Sequence, residues 1–487
     1  MSQMSYGRAL ALWAQRDGDV PALVFGEFGE QVLSRAELDR MSNRLARVYR
    51  EAGVTPGRLV TLSLPNGIEF FVSCLAIWKL GATPQPISAA LPAVEREAIV
   101  QLSDPALIVG ADPSEYRQRL VIESDFRADP DISDAPLEEI VSKCARAITS
   151  GGSTGRPKVI VDIRPALCDP DVPENRMLAA GVTLCPGPLY HAGPFITAWQ
   201  AILSGGRAVV LPRFDAEACL RAIERDRVDW TLFVPTMMQR IWRLPEEVRQ
   251  RYDISSLRVV MCSGAPSPIW LKRAWIEWIG PEKIFEAYGG AERIGGTSIT
   301  GSEWLAHPGS VGKPLPGHRL KILTDDSREQ PAGQVGEIFM LPETGRGSTY
   351  RYIGSHATAS PDGWETLGDL GYFDSEGYLY LVDRKSDMIV SGGANVYPAE
   401  VEAAIDANPA VRSSAVIGLP DDDLGQRVHA IVDAPEGIAE EALREHLDAC
   451  LVRYKIPRSF EFVAEPLRND AGKVRRSALR EARLGLK

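Results

Sequence analysis

Between residues 59 and 263, short apolar runs alternate with amphipathic stretches, and this rhythm most narrows what the chain can become. Leu59-Val60-Thr61-Leu62-Ser63-Leu64 reads as a strand closed by Pro65-Asn66-Gly67. A helix through Phe70, Cys74, Ile77 and Trp78 follows, Gly81 ends it, and a short strand runs toward Ile87. Similar strands recur near 106–110, 208–212, 231–234 and 257–263. Such alternation predicts an α/β architecture with largely parallel sheets. Upstream, Ser34-Arg35-Ala36-Glu37 fits a capping box between Leu33 and Leu38, before helical spacing through Met41, Leu45 and Val48 and a stop at Gly53.

The texture changes after about Pro308, where Gly336–Met340 and Tyr378–Val382 alternate like antiparallel strands. Beyond Asp383 a smaller unit begins: a helix opened by Pro398, strands near 414–417 and 428–432, a helix near 440–451 and a basic tail. The polar knot Asp383-Arg384-Lys385-Ser386-Asp387 is the expected linker, dividing the chain into residues 1–383 and 384–487. At 487 residues more than one hydrophobic core is expected. The chain therefore reads as a large N-terminal domain of layered α/β sheets plus a β-rich subdomain, joined by a hinge to a small mobile α+β C-terminal domain.

Composition removes whole function classes. With 54 basic against 65 acidic residues, the net charge of −11 argues against nucleic-acid and anionic-membrane binding while permitting a local basic pocket. Seven scattered cysteines and six dispersed histidines show no metal-ligand or disulfide spacing. No apolar run is long enough to cross a bilayer and no leader pattern opens the chain, so a soluble, cytoplasmic protein is expected.

The chemistry concentrates in Thr149-Ser150-Gly151-Gly152-Ser153-Thr154-Gly155-Arg156-Pro157-Lys158. Glycines let backbone N–H groups converge, hydroxyls add donors, and two cations add charge, which suits a polyphosphate. Pro157 between the glycines and Lys158, and Val159 after it, exclude the Walker P-loop.

Five further motifs follow. They are Ser263-Gly264-Ala265-Pro266; Glu286-Ala287-Tyr288-Gly289-Gly290-Ala291-Glu292; Gly363-Trp364-Glu365-Thr366-Leu367-Gly368-Asp369; Asp383-Arg384 with Ser391-Gly392-Gly393-Ala394; and Asn469-Asp470-Ala471-Gly472-Lys473. In this order and spacing the set resembles the adenylate-forming superfamily of acyl-CoA synthetases, carrier-loading adenylation domains and beetle luciferases. The resemblance covers nearly the whole chain.

It implies an enzyme that joins a carboxylate to the α-phosphate of ATP, expels pyrophosphate and passes the acyl group to a thiol. Lys473 would bridge carboxylate and phosphate, and Glu292 would hold Mg²⁺. The hydroxyl loop from Thr149 to Lys158 would cradle phosphates, Gly264, Ala265, Pro266, Ala287, Tyr288 and Gly289 would frame adenine, and Asp369 with Arg384 would hold ribose. Glu286 stands where the family has an amide facing the adenine amino group. Ala291 and Leu367 replace hydroxyl residues, a loss of about 1.5–3 kcal/mol for a missing donor to a charged group, which weakens a nucleotide site without abolishing it.

Ser386 takes the pivot position of the family's domain rotation, and Ser391, Gly392, Gly393 and Ala394 the border of its pantetheine tunnel. Pro188-Leu189-Tyr190-His191-Ala192-Gly193-Pro194 resembles the segment gating the acyl tunnel, giving His191 a catalytic and pocket role. Wall candidates are Trp199, Phe233, Val234, Ser263, Gly290 and Ile294, whereas Trp270, Trp275 and Trp278 are expected to pack. Amino-acid-activating relatives carry an Asp after a Phe in this region; Phe195 is followed by Ile196-Thr197, which disfavours an amino acid. The resemblance is strongest to ligases for bile acids, steroid side chains and other bulky cyclic acids. It implies ATP, Mg²⁺ and coenzyme A as cofactors, a small carboxylic acid as substrate, a phosphopantetheinyl carrier protein as the alternative acceptor, and room for a homodimer. A nucleotide-binding sensor without turnover is the third reading.

Overall fold

The structure, a computed structural model, describes residues 3–116, 119–151, 157–468 and 472–485. The capping box forms as expected: Ser34 accepts from the Glu37 backbone and the Glu37 carboxylate accepts from Ser34, starting the helix Arg35–Glu51. The apolar segment after Gly67 becomes the helix Ile68–Lys79, buried along nearly its whole length.

One parallel sheet carries Leu59–Leu62 between Thr83–Pro86 and Leu107–Val109. A second holds Arg207–Val210, Val182–Cys185, Trp230–Phe233, Val259–Cys262 and Ile284–Gly289 in parallel. Both faces of these strands are covered, so they read as continuous apolar runs. At Gly296–Thr300 the second sheet turns antiparallel and continues through Ser310–Pro314, Leu379–Arg384, Glu365–Phe373 and Gly336–Pro342. This is the change of texture expected after Pro308. A separate antiparallel set pairs Arg146–Gly151 with Pro157–Asp162 and that strand with Tyr350–Ile353.

From Ile389 onward the residues build their own core around Val401, Ile405, Val416, Val432 and Leu443. Its sheet is the hairpin of Ser413–Asp421 with Gly425–Asp433, to which Ser459–Val463 adds in parallel. That third strand was not legible in the sequence. The basic tail is also more than a tail, since Arg476–Arg483 is helical. The tryptophans at 275 and 278 pack edge to face, as expected of core residues. All seven cysteines are unpaired, and among the described residues no helix is long and apolar enough to cross a membrane.

Candidate active site

Strand register assembles the side expected to meet phosphate. Lys158 and Ile160 lie on one face of their strand, and Ile160 pairs with Tyr352. Lys158 Nζ donates to the Tyr352 hydroxyl at 3.0 Å, and that hydroxyl donates to Glu292 Oε1 at 2.7 Å. The ammonium is also 3.5 Å from Glu292 Oε1. Glu292 is buried at 6% exposure, in the loop between Ile284–Gly289 and Gly296–Thr300. Thr349 Oγ1 donates to its backbone carbonyl at 2.8 Å.

Glu292 Oε2 lies over Gly290, where a Cβ would approach it to 2.6 Å, and accepts no hydrogen bond from a described residue. A single buried carboxylate with one oxygen uncommitted fits Mg²⁺, which takes most of its ligands from phosphate and water. No cluster of three His, Cys, Asp or Glu side chains able to hold a metal occurs among the described residues.

Thr149 lies within the neighbouring strand Arg146–Gly151 with its Oγ1 buried and without a partner among the described residues. A hydroxyl in that state is costly unless a ligand oxygen meets it. Ser150 and Gly151 close the same strand, paired with Lys158 and Pro157. The loop expected to cradle phosphate at Gly152, Ser153, Thr154, Gly155 and Arg156 lies outside the described residues, as do Asn469, Asp470 and Ala471.

The side expected to hold ribose is equally a matter of register. Asp369 and Arg384 are directly opposed on antiparallel strands. Arg384 Nε is 3.3 Å from Asp369, and the Tyr288 hydroxyl donates to Asp369 at 2.8 Å. Burial pushes the Asp369 carboxyl up, against the pull of Arg384. Gly264 sits at φ 90° ahead of Ala265 and Pro266, and the Ser263 hydroxyl donates to the Ala287 carbonyl at 2.7 Å, joining the two turns expected at adenine.

Lys473 reaches this site from the C-terminal domain. Its ammonium feels Glu292 and Arg384, and burial with the Arg384 charge lowers its pKa. Gly472 makes the approach feasible. It has φ 71°, and a Cβ there would lie 2.6 Å from Thr236 Oγ1. Behind it, Arg476 binds Glu402 through two nitrogens and Asp387 at 2.8 Å, while Arg468 spans Glu402 and the Gly472 carbonyl. From the other side, Arg243 Nη2 donates to the Val411 carbonyl at 2.7 Å.

His191 caps the helix Ala192–Leu203. Burial, then Lys473, lowers its pKa to about 4, so it is neutral at physiological pH. Its Nε2 is buried with no partner among the described residues.

Several expected residues stand elsewhere. Phe233 is fully enclosed against Trp275, 5.8 Å between centroids, because both faces of its strand are covered. Ile294 lies in the core with Val311, Ile338 and Met340. Both side chains are enclosed by protein on all sides. Trp199 packs edge-on against Trp78 and presents only part of its ring to a cavity, while Val234 sits at the edge of the core beside Gly264. Glu286 is 4% exposed and ion-paired with Lys272, so its carboxylate is committed to a buried cation rather than open to adenine. Ala291 and Leu367 both pack against the Ile294 cluster. Ser386 occupies an exposed turn, its hydroxyl on Asp387, and Asp383 just before it accepts from the Ala399 N–H at 2.7 Å. Ser391 and Ala394 close a hairpin through Gly392 and Gly393, with φ of 58° and 81°; the Gly392 N–H donates to the Leu424 carbonyl within the same domain. Sequence reading missed Tyr352, Lys272 and Arg243, none of which lies in a motif.

The AMP-binding enzyme model matches residues 10–341, and the model for the AMP-binding enzyme C-terminal domain matches residues 400–473. The chain is 32% identical to a feruloyl-CoA synthase of an Amycolatopsis species, covering 93% of this chain and 94% of that protein. It is 29% identical to a 2-succinylbenzoate–CoA ligase of Bacillus licheniformis, over 93% and 95%. Among solved structures, the o-succinylbenzoate CoA synthetase of Bacillus subtilis, bound to its acyl-adenylate intermediate, superposes with a TM-score of 0.83 at 25% identity and 98% of both chains. With both domain models matched in order, the chain belongs to the AMP-binding enzyme family, the adenylate-forming superfamily.

Proposed function

We propose that this chain activates a bulky alicyclic, polycyclic or aromatic carboxylic acid as its acyl-adenylate and transfers the acyl group to coenzyme A. It is an AMP-forming acyl-CoA synthetase that uses ATP, Mg²⁺ and CoA. The observation that carries the adenylation half is that Lys473 lies within electrostatic reach of Glu292 and Arg384 although it belongs to the other domain.

A carboxylate approaching the α-phosphate brings like charges together, so preorganised cations dominate the barrier. Lys473 would neutralise the attacking carboxylate and the phosphate at once. Lys158, steadied by Tyr352, would face the departing pyrophosphate. Mg²⁺ held by Glu292 would screen the phosphates. Neutral His191 would offer Nε2 to the acid without adding a competing charge. Asp369 would accept from the ribose hydroxyls, with Tyr288 and Arg384 keeping it in place.

The second half needs Lys473 withdrawn, because a thiol must reach the carbonyl it covers. The turn at Ser386 is the proposed pivot and the Ser391–Ala394 hairpin the proposed border of the thiol tunnel; Ser386, Gly392 and Gly393 are exposed, as such roles require. Relatives named as CoA ligases support coenzyme A as the acceptor, and the carrier-protein alternative finds no support in them.

Pyrophosphate release, measured with ATP and a panel of fatty, aryl and polycyclic acids, tests the reading. Release confined to one acid class, followed by CoA thioester, is expected. Silence with every acid would leave the nucleotide-sensor reading instead.

A further inference from the structure

The first parallel sheet borders a cavity that the proposed chemistry does not use. Its strands lie in the order Thr83–Pro86, Leu59–Leu62, Leu107–Val109, Val121–Ile122. The direction of the winding therefore reverses between Leu59–Leu62 and Leu107–Val109. Open parallel sheets bind ligands outside the carboxyl ends of their strands, beside such a reversal. A cavity of about 150 Å³ lies there, walled by Leu64, Val109 and Ile122 at the strand ends and by Leu45 and Val72 of the helices Arg35–Glu51 and Ile68–Lys79. Phe70 and Phe71 of the second helix pack instead on Phe195 and Trp199, at 6.0 and 5.3 Å between centroids. The helix Ile68–Lys79 thus stands between this cavity and the helix that His191 caps.

Two buried hydroxyls interrupt the apolar wall. Tyr49, 1% exposed, donates to Ser73, 3% exposed, at 3.0 Å, and neither side chain makes another hydrogen bond among the described residues. Each hydroxyl carries one hydrogen. Their contact engages one of the two, so the pair keeps the other without an acceptor whichever oxygen donates. A buried donor in that state is costly unless something meets it. Burial pushes the Tyr49 phenol up, so the pair stays uncharged at physiological pH. On the outer side the segment from Glu123 to Pro130 closes the cavity. Both guanidiniums there are already committed, Arg127 to Glu69 and Arg44 to Asp134 at 2.8 Å, and Glu123 adds a further carboxylate. Nothing in this wall calls for an anion.

We infer that the cavity is a second ligand site, for a neutral monocyclic phenol, independent of the acid activation proposed above. An apolar cavity of about 150 Å³ takes a benzene-sized ring. The ring would lie against Leu45, Leu64, Val72 and Val109, with its hydroxyl accepting the free hydrogen of the Tyr49–Ser73 pair. A hydroxyl also has a hydrogen to return to that pair, which an ether or a hydrocarbon lacks. Glu69 and Glu123 disfavour a ring bearing a carboxylate, and this separates the ligand from the acid that is activated.

Ligand-observed NMR titration of the full chain with 4-methylphenol and with toluene tests the site. Both probes should bind saturably. Tyr49→Phe combined with Ser73→Ala leaves the ring space and removes both hydroxyls. It should lower the ratio of 4-methylphenol to toluene affinity about threefold to tenfold while toluene stays bound. Val72→Phe fills the cavity from the helix, and Ser124→Trp, on an exposed segment where folding is not at stake, plugs it from outside. Either should remove the binding of both probes. Binding that survives both substitutions, a ratio unmoved by the double variant, or no saturable binding of either probe overturns the inference. None of these readouts involves pyrophosphate release, so the ligase reading stands or falls separately.

Discussion

The Tyr352 hydroxyl donates to Glu292 Oε1 at 2.7 Å while receiving a hydrogen bond from Lys158 at 3.0 Å, so one phenol holds the acid and the base of the proposed phosphate site in register. The phenol's pKa is driven upward, by burial first and then by the Glu292 charge, which keeps it a donor at any working pH. Tyr352→Phe removes that donor and leaves the ring. It should weaken use of Mg·ATP by about 1–2 kcal/mol, read as a roughly tenfold rise in KM with a smaller fall in kcat. An unchanged Mg²⁺ dependence of pyrophosphate release would show that Glu292 needs no such support.

Lys473 should divide the two half-reactions. Lys473→Ala is expected to abolish ATP–pyrophosphate exchange, a loss of at least about 2–4 kcal/mol of transition-state stabilisation, yet to spare thioester formation from supplied acyl-AMP. Parallel loss of both activities would reject the division of labour between domain positions.

Lys272 and Glu286 form an ion pair in which both side chains are nearly inaccessible, with the Lys272 ammonium 5.1 Å from the centre of the Trp304 ring. Burial pulls the lysine down to about 8. Lys272→Met strands a carboxylate in the interior and should cost about 3–5 kcal/mol, lowering the urea midpoint. The double variant Lys272→Met with Glu286→Gln removes the stranded charge and should recover most of that loss. Should the double variant be no more stable than the single, the pair's charge is not what sets the cost.

Asp406 supplies a pH dependence. Burial raises its carboxyl from 3.8 to about 7, opposed by Arg468 and by a hydrogen bond from Ser414 at 2.7 Å. Between those two values the folded state binds more protons than the unfolded chain, so this group's contribution falls as pH rises from about 4 to about 7. Asp406→Asn should therefore gain stability relative to the parent across that window, on the order of 2 kcal/mol by its upper end. Thermal unfolding at both ends of the window measures this, and a parallel shift at all pH values would place the titration elsewhere.

The elements were legible where their cause is local. The Ser34–Glu37 box, the stop near Gly53 and the helix opened by Pro398 rest on neighbours a few residues apart. The strand rhythm from 59 to 263 likewise announced parallel sheets, and the turn to antiparallel pairing near 308 was visible as alternation. The full enclosure of Phe233 and Ile294 was not legible, because a strand buried on both faces carries no mark of which face borders a cavity. The pairing of Glu286 was not legible because its cation, Lys272, belongs to the adjoining helix Ile269–Ile279 and sits in no motif.

The order and spacing of the glycine, hydroxyl, acid and lysine motifs determined from sequence alone that this chain handles a nucleotide and a carboxylate, since those residue types are what such charges require. Only the tertiary structure decided which side chains steady them: Tyr352 lies 60 residues from Glu292 along the chain. It likewise brought Tyr49 and Ser73 to one cavity and let Lys473 cross from one domain to the other. The reason is physical. Local preference acts over a turn or a strand pair, whereas the partner of a buried charge is chosen by packing between segments remote in sequence.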